Sequence, residues 1–134
     1  MDFIQHISTD ANTLETSPKV TTLKLTRGRL SGGWIFFPSG PAGKLHLSAR
    51  IGIHQIFPFN VGQNIALDDC VVPMHFGIDL REPPFEIWID TWNSSTEYAH
   101  VLTVCFSLIP KGKKKYNLDE LINEFAGTNG YPKP

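Results

Sequence analysis

The sequence has 134 residues, of which 41% are hydrophobic and 19% are charged. This length suits one domain, and the apolar content is sufficient for a core, which excludes a wholly disordered chain. No apolar run approaches the roughly 20 residues of a membrane-spanning helix. The first residues do not show a basic region followed by an apolar stretch, so we expect no secretory signal. The formal net charge of −1 argues against a general nucleic-acid-binding protein.

Charge and composition divide the chain into three predicted parts. Residues 1–19 form a polar N-terminal arm with few apolar side chains, which we expect to be ordered against a neighbour. Residues 20–110 form a β-rich body, and residues 1–110 together carry a net charge of −3. Residues 111–134 carry a net positive charge and are predicted to be a basic linker, a short helix and a tail.

The first predicted strand of the body is 21–25, where apolar and polar residues alternate. A turn and a glycine-rich segment over 27–33 lead into Trp34-Ile35-Phe36-Phe37. Four consecutive large apolar residues are typical of a strand that is covered on both faces. The proline and glycine residues of 38–43 predict a turn.

The clearest alternation lies over Leu45–Ile53, where five apolar residues face one side and polar residues face the other. Pro58 then marks residues 55–59 as an edge strand or a bend, because proline cannot donate to a ladder. Residues 60–64 are predicted to form a turn, and 65–67 a short strand.

Three further strands complete the predicted body. Pro73 marks 71–74 as an edge strand, and residues 85–92 alternate between an apolar and a mixed face. Residues 101–109 place every second side chain inward, and Pro110 ends the strand. Seven or eight short strands with turns between them predict an all-β, antiparallel β-sandwich of jelly-roll type, with a small barrel as the alternative.

One short helix is predicted near the C-terminus. Asn117 is a favourable N-cap and Gly127 a favourable end. A helix of about nine residues is marginal alone, so its apolar stripe should dock on its own sandwich or on another subunit. The stripe contains Leu118, Leu121, Ile122 and Phe125.

The sequence contains no recognisable catalytic or metal-binding motif, so we expect no enzyme activity, no cofactor and no metal. Asp68 and Asp69 are interpreted as an acidic turn, with a calcium ligand pair as the alternative. Cys70 and Cys105 are expected to be free thiols, although one disulfide remains open. Asn93 begins an Asn-Ser-Ser acceptor pattern for glycosylation, which we interpret as a turn.

The most suggestive surface is the second face of the strand over 85–92. It alternates two acids with two indoles, a pattern that suits a sugar platform, a subunit contact or simple intramolecular packing. These residues are Glu86, Trp88, Asp90 and Trp92.

The phrases GWIFFPSGPAG, HQIFPFN, ALDD, PPFEIWIDTWNSS and AHVLTVCF resemble small β-sandwich proteins of phage particles, such as decoration, capsid-associated or tail-associated subunits. The resemblance covers residues 20–110 and implies no catalytic residues. It implies a virion location; otherwise we expect a cytoplasmic protein.

These observations predict a non-enzymatic assembly protein that forms a homo-oligomer and contacts other structural subunits. The alternative is a carbohydrate-binding module that uses Trp88 and Trp92 to hold a glycan. Neither nucleic acid nor a membrane is expected as the main partner.

Overall fold

The computed structural model describes residues 1–110, which form eight β-strands. The predicted linker and helix, including Leu118, Leu121, Ile122 and Phe125, lie outside the described residues. The strands are β1 (Asp2–Thr9), β2 (Lys19–Lys24), β3 (Gly28–Phe37), β4 (Leu45–Ile51), β5 (His54–Phe57), β6 (Cys70–Leu80), β7 (Glu86–Asn93) and β8 (His100–Pro110).

The strands form two four-stranded antiparallel sheets, with the orders β1-β8-β3-β6 and β2-β7-β4-β5. The first four strands pair with the last four in reverse order, because β1 pairs with β8, β2 with β7, β3 with β6 and β4 with β5. We call these the nested pairs. The pair β3–β8 joins β1–β8 to β3–β6 in one sheet, and the pair β4–β7 joins β2–β7 to β4–β5 in the other. The predicted all-β class with antiparallel sheets is confirmed.

The core lies between the sheets and follows the predicted alternation. On β8 the four side chains predicted to face inward are all buried: Leu102, Val104, Phe106 and Leu108. On β7 the inward side chains Ile87, Ile89 and Thr91 are fully buried. Each fully buried aliphatic or aromatic side chain contributes roughly 1.5–3 kcal/mol of transfer free energy, so burial on these two strands makes a substantial contribution to the cohesion between the sheets.

The N-terminal residues differ from the predicted arm. Residues 2–9 form β1, which pairs with β8 along its whole length as an edge strand. Phe3 and Ile7 pack against the core, and the Met1 ammonium donates to the Leu108 carbonyl at 2.8 Å. The sequence did not indicate this strand because two of its four inward positions, Gln5 and Thr9, are polar. The Thr9 hydroxyl is satisfied by the Thr91 hydroxyl at 2.8 Å.

Several predicted strands also require correction, including the edge strand predicted over 71–74, which extends as β6 over Cys70–Leu80. Gly32 and Gly33 were expected to precede a strand, but they lie inside β3, at a bulge in its pairing with β6 and β8. β4 was expected to continue to Ile53, but it ends at Ile51. Gly52, at φ +59°, reverses the chain there, so Ile53 is 91% exposed at the tip of a hairpin. The predicted strand over 65–67 is reduced to a single bridge between Ile65 and Leu47.

Asp68 joins two loops at one end of the sandwich, as expected for a turn residue. Its carboxylate accepts hydrogen bonds from the backbone N–H groups of Gly40, at 2.9 Å, and Ala42, at 2.8 Å. These bonds favour the charged form and lower the pKa of Asp68. The carboxylate therefore serves the loop structure.

Asp68→Asn is expected to change how stability depends on pH. A lowered folded-state pKa contributes stability above the unfolded pKa of about 4, and this stability is lost as the pH falls through the folded-state pKa. The variant should be less stable than wild type at pH 7 and should lose less stability on acidification. Urea unfolding between pH 3 and pH 7 measures both effects. Asp69→Asn is the matched control, because the Asp69 side chain makes no hydrogen bond within residues 1–110. Equal pH profiles for Asp68→Asn and wild type would contradict the prediction.

Candidate functional site

The predicted Trp/acid face lies on the outer side of the sheet β2-β7-β4-β5. Glu86, Trp88, Asp90 and Trp92 alternate with the buried side chains of β7, as the sequence pattern predicts. β4 adds three side chains to this face that the sequence did not connect with them. The register places His46 beside Trp92, Ser48 beside Asp90 and Arg50 beside Trp88.

Both indoles of this face already have partners. The Trp92 ring stacks on His46 with 5.3 Å between centroids and 3° between planes, and Trp92 is only 9% exposed. The Arg50 guanidinium carbon lies 4.8 Å from the centre of the Trp88 ring. Trp88 also donates its indole N–H to Glu86 Oε1 at 3.1 Å. The two indoles therefore do not form an open stacking platform.

Arg50 and Asp90 form an ion pair at the centre of this face. Arg50 Nε donates to Asp90 Oδ2 at 2.8 Å, and Nη2 lies 3.4 Å from Oδ1. Arg50 Nη1 donates to the Gly52 carbonyl at 3.1 Å. Because three contacts fix the guanidinium, its remaining N–H groups have a defined direction.

A groove of about 360 Å³ lies beside this ion pair, and we call it the Arg50 groove. Its floor comes from strands β4 and β7, and its walls come from the loops before β2 and after β5. The floor includes Ser48, Arg50, Asp90 and Trp92, and the walls include Glu15 and Gln63. These residues lie up to 77 positions apart in the sequence. The groove therefore becomes visible only when β4 is paired with β7.

Gln55 fixes one wall of the Arg50 groove. Its Nε2 donates to the carbonyls of Pro58, at 2.7 Å, and Gln63, at 2.9 Å, and its Oε1 accepts from the Gly62 N–H at 3.3 Å. The amide thus organises the loop over 58–63. The tip of this loop is apolar and exposed, with Phe59 at 84% and Val61 at 82%.

The other sheet, β1-β8-β3-β6, has an apolar outer face that the sequence indicated only in part. Ile4, Cys105, Trp34 and Pro73 form one row across all four strands. The next row contains His6, Thr103, Phe36 and Val71. We call this surface, together with Val101, the Trp34 face.

The Trp34 face combines exposed apolar side chains with a polar border. Val71 is 60% exposed, Ile4 54%, Val101 45% and Phe36 38%. At one end of the sheet, Arg29 pairs with Asp79 at 3.2 Å. An apolar centre with a polar border is the usual organisation of a protein–protein interface.

Cys105 lies within the Trp34 face and is 2% exposed, whereas Cys70 is half-buried at the start of β6. Both thiols are free, as expected. Burial raises the pKa of the Cys105 thiol, which keeps it in the protonated form that suits an apolar environment.

Within residues 1–110, no three His, Cys, Asp or Glu side chains are grouped so that they can hold a metal ion. That part of the chain also contains no helix that could cross a membrane. Asn93 is fully buried, so its amide is inaccessible to a glycosylating enzyme in the folded chain.

In comparisons with known proteins, no family model, no curated protein and no solved structure matches the chain.

Proposed function

We propose that this protein is a non-enzymatic structural subunit that associates with copies of itself through the Trp34 face. The observation that carries the proposal is the run Trp34-Ile35-Phe36-Phe37. Ile35 and Phe37 are fully buried in the core, whereas Phe36 is 38% exposed and Trp34 is half-buried on the outside. Residues 1–110 leave the second apolar face of this strand uncovered, and an exposed apolar patch of this kind marks a protein–protein contact.

The dimensions of the Trp34 face support a second copy as its partner. Four strands spaced about 4.8 Å apart, with about 3.4 Å per residue, give the two rows and Val101 a surface of about 300 Å², most of which is apolar. Monomers rarely expose an apolar area above a few hundred Å² without a binding role. With its polar border, the face approaches the roughly 800 Å² per partner of a standard interface. Two such sheets can pack face to face about 10 Å apart.

We further propose that the fold is a jelly roll and that the subunit belongs to a phage particle. The nested pairs β1–β8, β2–β7, β3–β6 and β4–β5 support the jelly roll, because a long hairpin rolled into two sheets has this pairing. Capsid proteins and lectins both use this architecture. The resemblance of residues 20–110 to phage β-sandwich proteins favours the particle.

Val71→Lys is expected to weaken self-association at least tenfold, because it replaces the most exposed large apolar side chain of the Trp34 face with a charge. Light scattering and sedimentation of the full chain over a concentration series measure the association constant. Ile53→Lys is the matched control, because Ile53 is more exposed than Val71 but lies at a hairpin tip. Circular dichroism verifies that both variants are folded.

A wild-type protein that stays monomeric at high concentration would overturn the assembly proposal. A Val71→Lys variant that associates like wild type would exclude the Trp34 face as the contact. Mass spectrometry of purified particles from the source that encodes the protein tests the phage location.

A further inference from the structure

We propose that the Arg50 groove binds a saccharide. The groove lies on the sheet opposite the Trp34 face, so this activity goes beyond self-association and does not depend on it. A volume of about 360 Å³ falls within the roughly 300–1,000 Å³ that is usual for small-molecule sites. Three features favour a saccharide: the balanced charge of the floor, its unused donors and acceptors, and the apolar tip of one wall.

The floor of the groove carries both charges without an excess of either. Arg50 and Asp90 neutralise each other, and the other two floor residues, Ser48 and Trp92, are uncharged. An anionic ligand would meet the carboxylates of Asp90 and Glu15, and a metal ion would compete with Arg50 for Asp90. A neutral ligand with many hydroxyl groups meets neither conflict.

Both members of the ion pair, the Arg50 guanidinium and the Asp90 carboxylate, can make further hydrogen bonds. A guanidinium has five N–H donors, and three of those of Arg50 are used by Asp90 and Gly52. A carboxylate accepts about four hydrogen bonds, and Asp90 receives two from Arg50. Adjacent donors and acceptors of this kind suit neighbouring sugar hydroxyls, because each hydroxyl both donates and accepts.

The loop over 58–63 lines the groove with Gly62 and Gln63, and its tip beside them carries two exposed apolar side chains, Phe59 and Val61. Phe59 is 84% exposed and Val61 is 82% exposed, so packing among residues 1–110 does not account for them. Gln55 holds this loop through its amide, which fixes the loop before any ligand arrives. The C–H face of a pyranose is apolar and can pack on an aromatic ring such as that of Phe59. Phe59 lies three residues before Gly62, which lines the groove, so its exposed side chain must turn onto the bound sugar to take the stacking role that the sequence suggested for Trp88 and Trp92.

Titration of the full chain with glucose, galactose, mannose, N-acetylglucosamine and their disaccharides tests the proposal by amide NMR. We expect at least one of these sugars to bind with a Kd near or below about 1 mM, which corresponds to about 4 kcal/mol. Its saturable shifts should centre on Ser48, Phe59 and Gln63. Phe59→Ala and Gln63→Ala should each weaken binding at least fivefold while the protein stays folded, because both residues are exposed.

Ile53→Ala is the matched control for Phe59→Ala, since it removes an exposed apolar side chain from the β4–β5 hairpin, which contributes no residue of its tip to the lining of the groove. The absence of saturable shifts with every sugar would overturn the proposal. Sugar binding that Phe59→Ala and Gln63→Ala both leave unchanged would also overturn it. Repeating the titration with Val71→Lys separates the two proposals, because a dissociated variant should still bind the sugar.

Discussion

Replacing Gly33 with alanine is expected to prevent the body from folding stably. Gly33 lies at φ +152°, and a Cβ atom there would come within 1.9 Å of the Cys105 carbonyl oxygen. That oxygen belongs to the backbone of β8, so relief requires β3 and β8 to separate. We expect the free energy of unfolding to fall by more than about 4 kcal/mol, a large share of the 5–15 kcal/mol of a typical domain. Urea unfolding followed by tryptophan fluorescence measures the loss.

Gly40→Ala separates the steric effect from the backbone effect. Gly40 also has a positive φ, +134°, but a Cβ atom there would meet no atom within 4 Å. This variant should lose only the roughly 1–3 kcal/mol of an unfavourable backbone conformation. If Gly33→Ala were as stable as Gly40→Ala, this result would contradict the inference that β3 and β8 lie too close together at Gly33 for a Cβ atom.

The core of the fold was predictable because it depends on alternation. β8 and β7 each place every second side chain inward over most of their length, and the period of two appears directly in the sequence. The ends of β3 and β4 were predicted less well, because glycine marks both turns and bulges. Gly52 makes a turn, whereas Gly33 lies inside a strand, and only the neighbouring strands distinguish the two cases.

The edge strand β1 was missed for a different reason. An edge strand has one neighbour, so its apolar pattern is shorter and its inward positions tolerate polar residues. Thr9 is fully buried, yet its hydroxyl bonds to Thr91 from another strand 82 positions away. A polar residue with a distant partner gives no apolar signal in the sequence.

The candidate surfaces could be predicted only as strand faces. The sequence correctly placed Trp88 and Trp92 on the outer side of β7, but it gave no sign that Arg50 and His46 cover their rings. These contacts depend on the register of β4 against β7. The same holds for the Trp34 face, whose rows join residues from four distant strands.

Asn93→Ala is expected to lower the free energy of unfolding by about 3 kcal/mol. Asn93 is fully buried at the end of β7, and its Nδ2 donates to the carbonyls of Thr9, at 3.1 Å, and Tyr98, at 2.9 Å. Its Oδ1 accepts from the Ser95 N–H at 3.0 Å. Alanine leaves these backbone groups without partners, and each buried one costs roughly 1–3 kcal/mol. Urea unfolding at pH 7 measures the loss.

Asn93→Asp distinguishes a hydrogen-bonding role from a packing role, because the two side chains have nearly the same shape. A carboxylate keeps the acceptor for Ser95 but faces the carbonyl oxygens of Thr9 and Tyr98 without a proton to donate. Burial should raise its pKa above the unfolded value, so this variant should gain stability relative to Asn93→Ala as the pH falls. Ser94→Ala, at an exposed neighbour, should change stability by less than about 0.5 kcal/mol. If Asn93→Asp were as stable as wild type at pH 7, the shape of the side chain alone would explain why Asn93 is buried. The hydrogen bonds of its amide would then not be needed to hold together β1, β7 and the loop that precedes β8.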